Sequence, residues 1–166
     1  MEVTMKGKKL TLSASPPQAD QIVPDFEVTA NDLSKVKFSS FKDKVRIILS
    51  VPSLDTSVCD LMARRFNQEA ANFGEDVVVL TISMDLPFAQ KRWCGSAEAN
   101  NIIVLSDYFD ASFGNAFGVL IKELRLLARA VFIVDKENVL RYSEIVHELT
   151  NEPDYESALM AIIILL

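Results

Sequence analysis

The run Val45-Arg46-Ile47-Ile48-Leu49-Ser50-Val51 is almost continuously apolar and reads as a buried strand. Downstream, Leu61 to Phe73 places its apolar residues at helical spacing. The segment between them, Pro52-Ser53-Leu54-Asp55-Thr56-Ser57-Val58-Cys59-Asp60, therefore joins a core strand to a helix, with Thr56 or Ser57 as the natural N-cap. Cys59 falls in the first turn of that helix. Unpaired N–H groups and the positive end of the helix dipole favour an anion there, so a thiol tends to ionise to its nucleophilic form. Position alone leaves two readings open: a reactive thiol, or the small buried hydrophobe that most lone cysteines are.

The rest of the chain completes an α/β pattern. Glu2–Met5 and Lys9–Leu12 alternate around Lys6-Gly7-Lys8 as an N-terminal hairpin, and Ser13–Pro24 is a connection rather than a domain linker. Asp25–Thr29 reads as a strand and Phe38–Phe41 as a turn of helix. Asp76–Ser83 is a strand buried on both faces, and Asp85-Leu86-Pro87 a helix start, with Asp85 as cap and Pro87 near the first helical position. That helix is expected to end around Cys94-Gly95. Ile102–Leu105 is a further strand and Ser112–Ile121 a Gly-containing segment with a short helix. Ala128–Val134 and Val139–Ser143 form an antiparallel hairpin, and Tyr155–Leu166 a terminal helix. The order predicts a single domain over residues 1–166, hairpin 1–14 included, with a mixed central sheet flanked by helices.

Pro52-x-x-x-Thr56-x-x-Cys59 has the form of the peroxidatic-cysteine motif, and the longer Pro52-Ser-Leu-Asp-Thr-Ser-Val-Cys59 resembles the thiol peroxidases, the atypical two-cysteine peroxiredoxins. Three further segments resemble that subfamily in its order: Ser83-Met-Asp-Leu-Pro-Phe-Ala-Gln-Lys-Arg-Trp-Cys94-Gly95, Leu105-Ser-Asp-Tyr-Phe109 and Leu127-Ala-Arg129-Ala-Val131. The resemblance implies a thioredoxin-like fold. It implies a thiol-specific peroxidase that reduces hydrogen peroxide and alkyl or lipid hydroperoxides, without a cofactor. Cys59 would be the peroxidatic residue, and Cys94 the resolving one that closes an intramolecular disulfide recycled by thioredoxin. It also implies a homodimer, and an apolar approach to Cys59 lined by some of Met84, Leu86, Phe88, Trp93, Phe109, Phe113 and Phe117. After Cys94-Gly95 the family usually continues Ala-Glu-Gly-Leu, whereas this chain has Ser96-Ala97-Glu98-Ala99.

Peroxide reduction needs an anionic sulfur aligned with the O–O bond and donors for charge on the leaving oxygen. Thr56 lies one turn before Cys59, so its hydroxyl can reach the sulfur while still capping the helix. Arg129 opens an apolar strand, where a guanidinium is out of place without a partner. The resemblance puts it beside the sulfur, where its fixed charge stabilises the thiolate. Pro52 would shield that thiolate from water. Asp60 is a like charge next door and is expected to point away.

Other classes lack support. A net charge of −6 with scattered Lys and Arg argues against nucleic acid, and Lys6, Lys8 and Lys9 read as a solvated hairpin turn. No apolar stretch suffices for a signal peptide or a membrane span, which points to the cytoplasm. Two cysteines and one histidine show no metal-ligand spacing, and His147 reads as a surface residue. A thioredoxin-type oxidoreductase needs Cys-x-x-Cys, but Thr56 and Met62 stand three residues either side of Cys59. The remaining alternative is a non-enzymatic peroxide-sensing switch built on the same cysteine pair.

Overall fold

The apolar runs Val45–Ser50 and Val77–Ser83 become central strands of one sheet, while the terminal run from Ala158 to Leu165 lies in a helix. The computed structural model describes residues 1–166 and begins with the hairpin β1 (Glu2–Met5) and β2 (Lys8–Thr11). Its turn is the two residues Lys6 and Gly7, both at positive φ (51° and 78°), which suits the twist of a two-residue hairpin. Next come β3 (Glu27–Thr29), β4 (Lys35–Lys37), the short 3-10 turn Phe38–Phe41, β5 (Val45–Ser50), α1 (Ser57–Ala70), β6 (Val77–Ser83) and α2 (Pro87–Ala97). The chain continues with β7 (Ile103–Ser106), α3 (Ser112–Ala116), the two-residue strands β8 (Leu120–Ile121) and β9 (Leu126–Leu127), β10 (Ala130–Val134), β11 (Leu140–Ile145) and α4 (Tyr155–Leu165).

Seven strands form one mixed sheet in the order β11-β10-β5-β6-β7-β3-β4. The central β5-β6-β7 are parallel, and the strands outside them pair antiparallel. Alternation along the central strands feeds two cores. Ile48, Leu80, Ile82 and Phe132 face one way, onto Phe113 and Phe117 of the α3 region and onto Val3 and Leu10 of the hairpin. Ile47, Leu49, Val79 and Val131 face the other way, onto Met62 and Phe66 of α1, Trp93 of α2 and Ile162 of α4. On α1 the buried residues Cys59, Met62, Ala63 and Phe66 make one helical stripe. Each large side chain so buried contributes about 1.5–3 kcal/mol. Arg46 is the polar intruder in β5. It is fully buried, its guanidinium donating to the Asp135 carbonyl and Asn138 Oδ1 while lying 4.6 Å from the Phe38 ring centre.

Several expectations are corrected. β4, β8 and β9 have only two or three residues, too few for alternation to register. Pro87 is the first residue of α2, but Leu86 occupies the N-cap and Asp85 does not cap the helix. Nor does α2 end at Cys94-Gly95. It runs on to Ala97, and Glu98 closes it in the left-handed conformation (φ 52°, ψ 40°). The family pattern has glycine at that position, the residue that adopts this geometry without Cβ strain. Gly118 shows the opposite case: φ is 67°, and a Cβ there would lie 2.7 Å from the Ala14 carbonyl oxygen.

Glu98→Gly is therefore expected to raise stability by about 1 kcal/mol and Gly118→Ala to lower it by more than about 1 kcal/mol. Urea midpoints of the two variants, moving in opposite directions, check the assignment. A second expectation concerns Asp107, whose carboxylate accepts from the N–H groups of Phe113 (3.0 Å) and Gly114 (2.8 Å) at the start of α3. Burial pushes its pKa up to about 6 despite those bonds. A raised carboxyl contributes stability that is full below its unfolded value near 3.9 and is lost as pH rises through 6, about 3 kcal/mol at most. Asp107→Asn should flatten the stability profile between pH 4 and 6, measured by urea unfolding.

Candidate active site

Thr56 stands at the N-cap of α1 with extended backbone (φ −102°, ψ 149°), yet its hydroxyl makes no capping bond. Oγ1 lies 2.8 Å from the Ser53 carbonyl oxygen and 2.7 Å from Cys59 Sγ. A hydroxyl has one proton, so it can donate to only one of them at a time. With a neutral thiol, S–H can donate to Oγ1. With a thiolate, the hydroxyl must turn its proton toward sulfur.

Arg129 meets the same sulfur. It lies just before β10, is 2% exposed, and carries Nη2 3.5 Å from Cys59 Sγ and Nη1 3.8 Å from Met62 Sδ. Nε and Nη2 also donate to the Leu149 carbonyl at 3.2 and 3.0 Å. The guanidinium is thus aimed by a main-chain oxygen, for which no side-chain pattern in the sequence gives a signal. The ledge that supplies it, His147–Thr150, is bound to the N-terminal hairpin. Leu149 N–H donates to the Thr4 carbonyl at 2.8 Å. The Glu148 carboxylate accepts from the N–H groups of Gly7 (3.1 Å) and Lys6 (2.9 Å), and from the hydroxyls of Thr4 and Thr150, both at 2.8 Å. These bonds, Gly7's foremost, hold the Glu148 pKa down at about 2. His147 itself is exposed.

These groups frame a cleft of about 380 Å³ lined by Met5, Lys6, Pro52, Thr56, Ser57, Val58, Arg129, Leu149 and Thr150. Cys59 is fully buried beneath it, so the cleft floor consists of the groups that hold its sulfur. Pro52, buried where β5 gives way to the loop, forms part of the wall. None of Met84, Leu86, Phe88, Trp93, Phe109, Phe113 and Phe117 lines the cleft, contrary to expectation. Phe113 and Phe117 belong to the core across the sheet, and Leu86, Phe88 and Phe109 are exposed elsewhere. Nearness in sequence to Cys94 does not bring these residues to Cys59, because the cleft opens beside the N-terminal hairpin.

Two acidic residues have roles that sequence reading assigned differently or only in outline. Asp60 turns away from the sulfur, as expected, and its Oδ1 accepts from Trp93 Nε1 at 2.8 Å while Arg64 Nε donates to both oxygens at 2.9 and 3.0 Å. Asp85 accepts from Ser53 Oγ (2.6 Å), Leu54 N–H (2.9 Å) and Ser83 Oγ (2.6 Å), so it pins the loop before Cys59 to the end of β6.

Cys94 stands apart from this cluster. Both cysteines are free thiols. Cys94 is half-buried on α2 and lines a separate groove with Asn31, Ala99 and Ile102. Burial pushes its thiol pKa up, against a weaker pull from the Asn31 amide, whose Nδ2 is 3.9 Å from the sulfur. The fold thus unites Cys59, Thr56, Arg129 and Pro52 and leaves Cys94 one helix away. No helix is long and apolar enough to cross a membrane.

Residues 17–159 match the Redoxin family model. The chain is 51% identical over 160 residues to the thiol peroxidase of Staphylococcus saprophyticus, with 96% of each chain covered. It is 52% identical over 157 residues to that of Oceanobacillus iheyensis, with 95% of each covered. Among solved structures, a peroxiredoxin-like protein from Aquifex aeolicus superposes with TM-score 0.93 at 39% identity, covering 99% of this chain and 97% of that one. The thiol peroxidase from Chromobacterium violaceum superposes at 0.87 with 20% identity over 98% of this chain and 95% of its own, a likeness of fold alone. With half its residues shared along almost the whole length, the chain belongs to the Redoxin family, as a peroxiredoxin-type thiol peroxidase that reduces peroxides at the expense of thiols.

Proposed function

We propose that Cys59 is the peroxidatic residue and Cys94 the resolving one. The observation that carries this is the convergence of a hydroxyl and a guanidinium on one sulfur under a cleft. The Cys59 thiolate attacks the terminal oxygen of ROOH. The O–O bond breaks, and the leaving alkoxide takes a proton to become ROH, while Cys59 becomes a sulfenic acid. Thr56 Oγ1 and the Arg129 guanidinium are the donors for the attacking sulfur and for charge moving onto the leaving oxygen. Pro52 keeps bulk water off the sulfur. The Cys94 thiol then attacks the sulfenic sulfur, expelling water and forming a disulfide. A dithiol protein of the thioredoxin type reduces that disulfide and is itself oxidised.

Met5, Val58 and Leu149 offer an apolar wall to the organic part of an alkyl or lipid hydroperoxide, which favours such substrates over hydrogen peroxide. The setting is a cytoplasmic homodimer, for which the exposed Leu86, Phe88 and Phe109 provide apolar surface to bury.

Cys59→Ser should abolish peroxide reduction. Cys94→Ser should retain the first oxidation, trapping a sulfenic acid, and lose turnover with a thioredoxin system. Loss of the first oxidation in Cys94→Ser would reverse the roles. Arg129→Met should slow peroxide consumption by about 10²–10³-fold, the cost of one oriented transition-state donor. Comparing kcat/KM for cumene hydroperoxide and hydrogen peroxide tests the wall, with equal values counting against it.

A further inference from the structure

We infer that the hydrogen bond between Asp60 and Trp93 is a latch that sets how long Cys59 stays in its peroxide-reactive position before Cys94 can reach it. Asp60 and Trp93 act as positioning residues, and the inference rests on the roles proposed above for the two cysteines. The juxtaposition is direct: Asp60 follows Cys59 and Trp93 precedes Cys94, and their side chains meet at 2.8 Å. This is the one side-chain hydrogen bond that joins α1 to α2.

The partners are built to hold. Trp93 is 7% exposed and packs in the same core as Cys59 and Met62. The Asp60 carboxylate is fixed by Arg64 Nε on both oxygens, and the Arg64 guanidinium lies 6.0 Å from the Trp93 ring centre. An indole N–H has one acceptor to find when buried, and a carboxylate is a strong one.

Helical geometry makes the latch and the disulfide mutually exclusive. Successive residues on a helix project about 100° apart, so while the first turn of α1 is wound, Asp60 faces α2 and Cys59 faces Arg129. A disulfide needs Cα atoms within about 7 Å and Cβ atoms pointing together. To point Cys59 at Cys94, the turn must unwind and carry Asp60 off the indole. The limits of unwinding are also set. Leu54 N–H and Ser53 Oγ are pinned by Asp85, and Met62 and Ala63 are fully buried in the core. Only residues 55–61 are left to move, and two side chains in that interval are tied to α2: Asp60 by the indole hydrogen bond, and the exposed Asp55 by a 3.8 Å surface ion pair with Arg92, a contact that contributes little.

While the latch is closed, a sulfenic acid on Cys59 remains open to a second peroxide, which gives the sulfinic acid and ends turnover. The latch therefore sets the partition between disulfide closure and overoxidation. The experiment is a four-way comparison of the native protein, Asp60→Ala, Trp93→Phe and the double variant. Closure after a pulse of hydrogen peroxide is followed by acid quench and mass spectrometry. Each single variant should close on the order of tenfold faster, the low end for a charge-assisted bond that is partly exposed. The double variant should be no faster than either single, because both remove the same bond. The peroxide concentration giving half sulfinic acid should rise by the same factor. Trp93 is the sole tryptophan, so its emission in the native protein should change with closure and stay constant in oxidised Cys94→Ser. Unaccelerated closure in the single variants, additive acceleration in the double, or constant emission through closure would each overturn the latch alone. Absence of a Cys59–Cys94 disulfide from the oxidised native protein would overturn the underlying assignment of roles instead.

Discussion

Arg129 is a guanidinium buried to 2% exposure with no carboxylate within salt-bridge distance. An uncompensated buried charge is costly, and the Leu149 carbonyl and the Met62 sulfur offset that cost only in part. The other side-chain atom in contact with Arg129 Nη2 is the Cys59 sulfur, at 3.5 Å. Among polar side chains only Thr56 and Arg129 hydrogen-bond to Cys59, and Asp60 is turned toward α2.

Around this pair the molecule uses carboxylates as fasteners. Glu148 ties the hairpin turn to the ledge that aims Arg129, with four donors on one side chain. Asp85 ties the Ser53-Leu54 turn to β6, fixing the approach to α1. Both act through main-chain N–H groups, so they position backbone rather than merely pairing charge. The N-terminal hairpin, remote from Cys59 in sequence, becomes part of the cleft through this arrangement and supplies Met5 and Lys6 to its wall.

The element that carries Cys94 is built less firmly. Glu98 closes α2 in a conformation that costs an L-residue about 1 kcal/mol or more, and Gly95 sits in the last turns with open space where a Cβ would be. α1 is held by a core stripe, whereas α2 contributes only Trp93 and the half-buried Cys94 and Ala97 to the same core. The strained closure at Glu98 and the open space at Gly95 both lie at the end of α2 that carries Cys94.

The sequence by itself determined the strand–loop–helix around Cys59, the buried β5 and β6, the terminal hairpin and helix, and the family. These are set by local rules: apolar runs, helical spacing, turn residues and a motif of fixed spacing. It singled out Arg129 through the family resemblance, since by position alone a cation at the head of an apolar strand reads as a strand-edge charge. Tertiary structure alone decided where Arg129 points, since its guide is the carbonyl of Leu149, twenty residues on, and any residue type there would have offered one. It likewise decided that Asp85 fastens a loop rather than capping α2, that Glu148 belongs to the hairpin, and that the aromatic residues around Cys94 lie off the cleft. Those outcomes depend on which strand ends meet at one end of a seven-stranded sheet, and no window of the sequence contains that meeting.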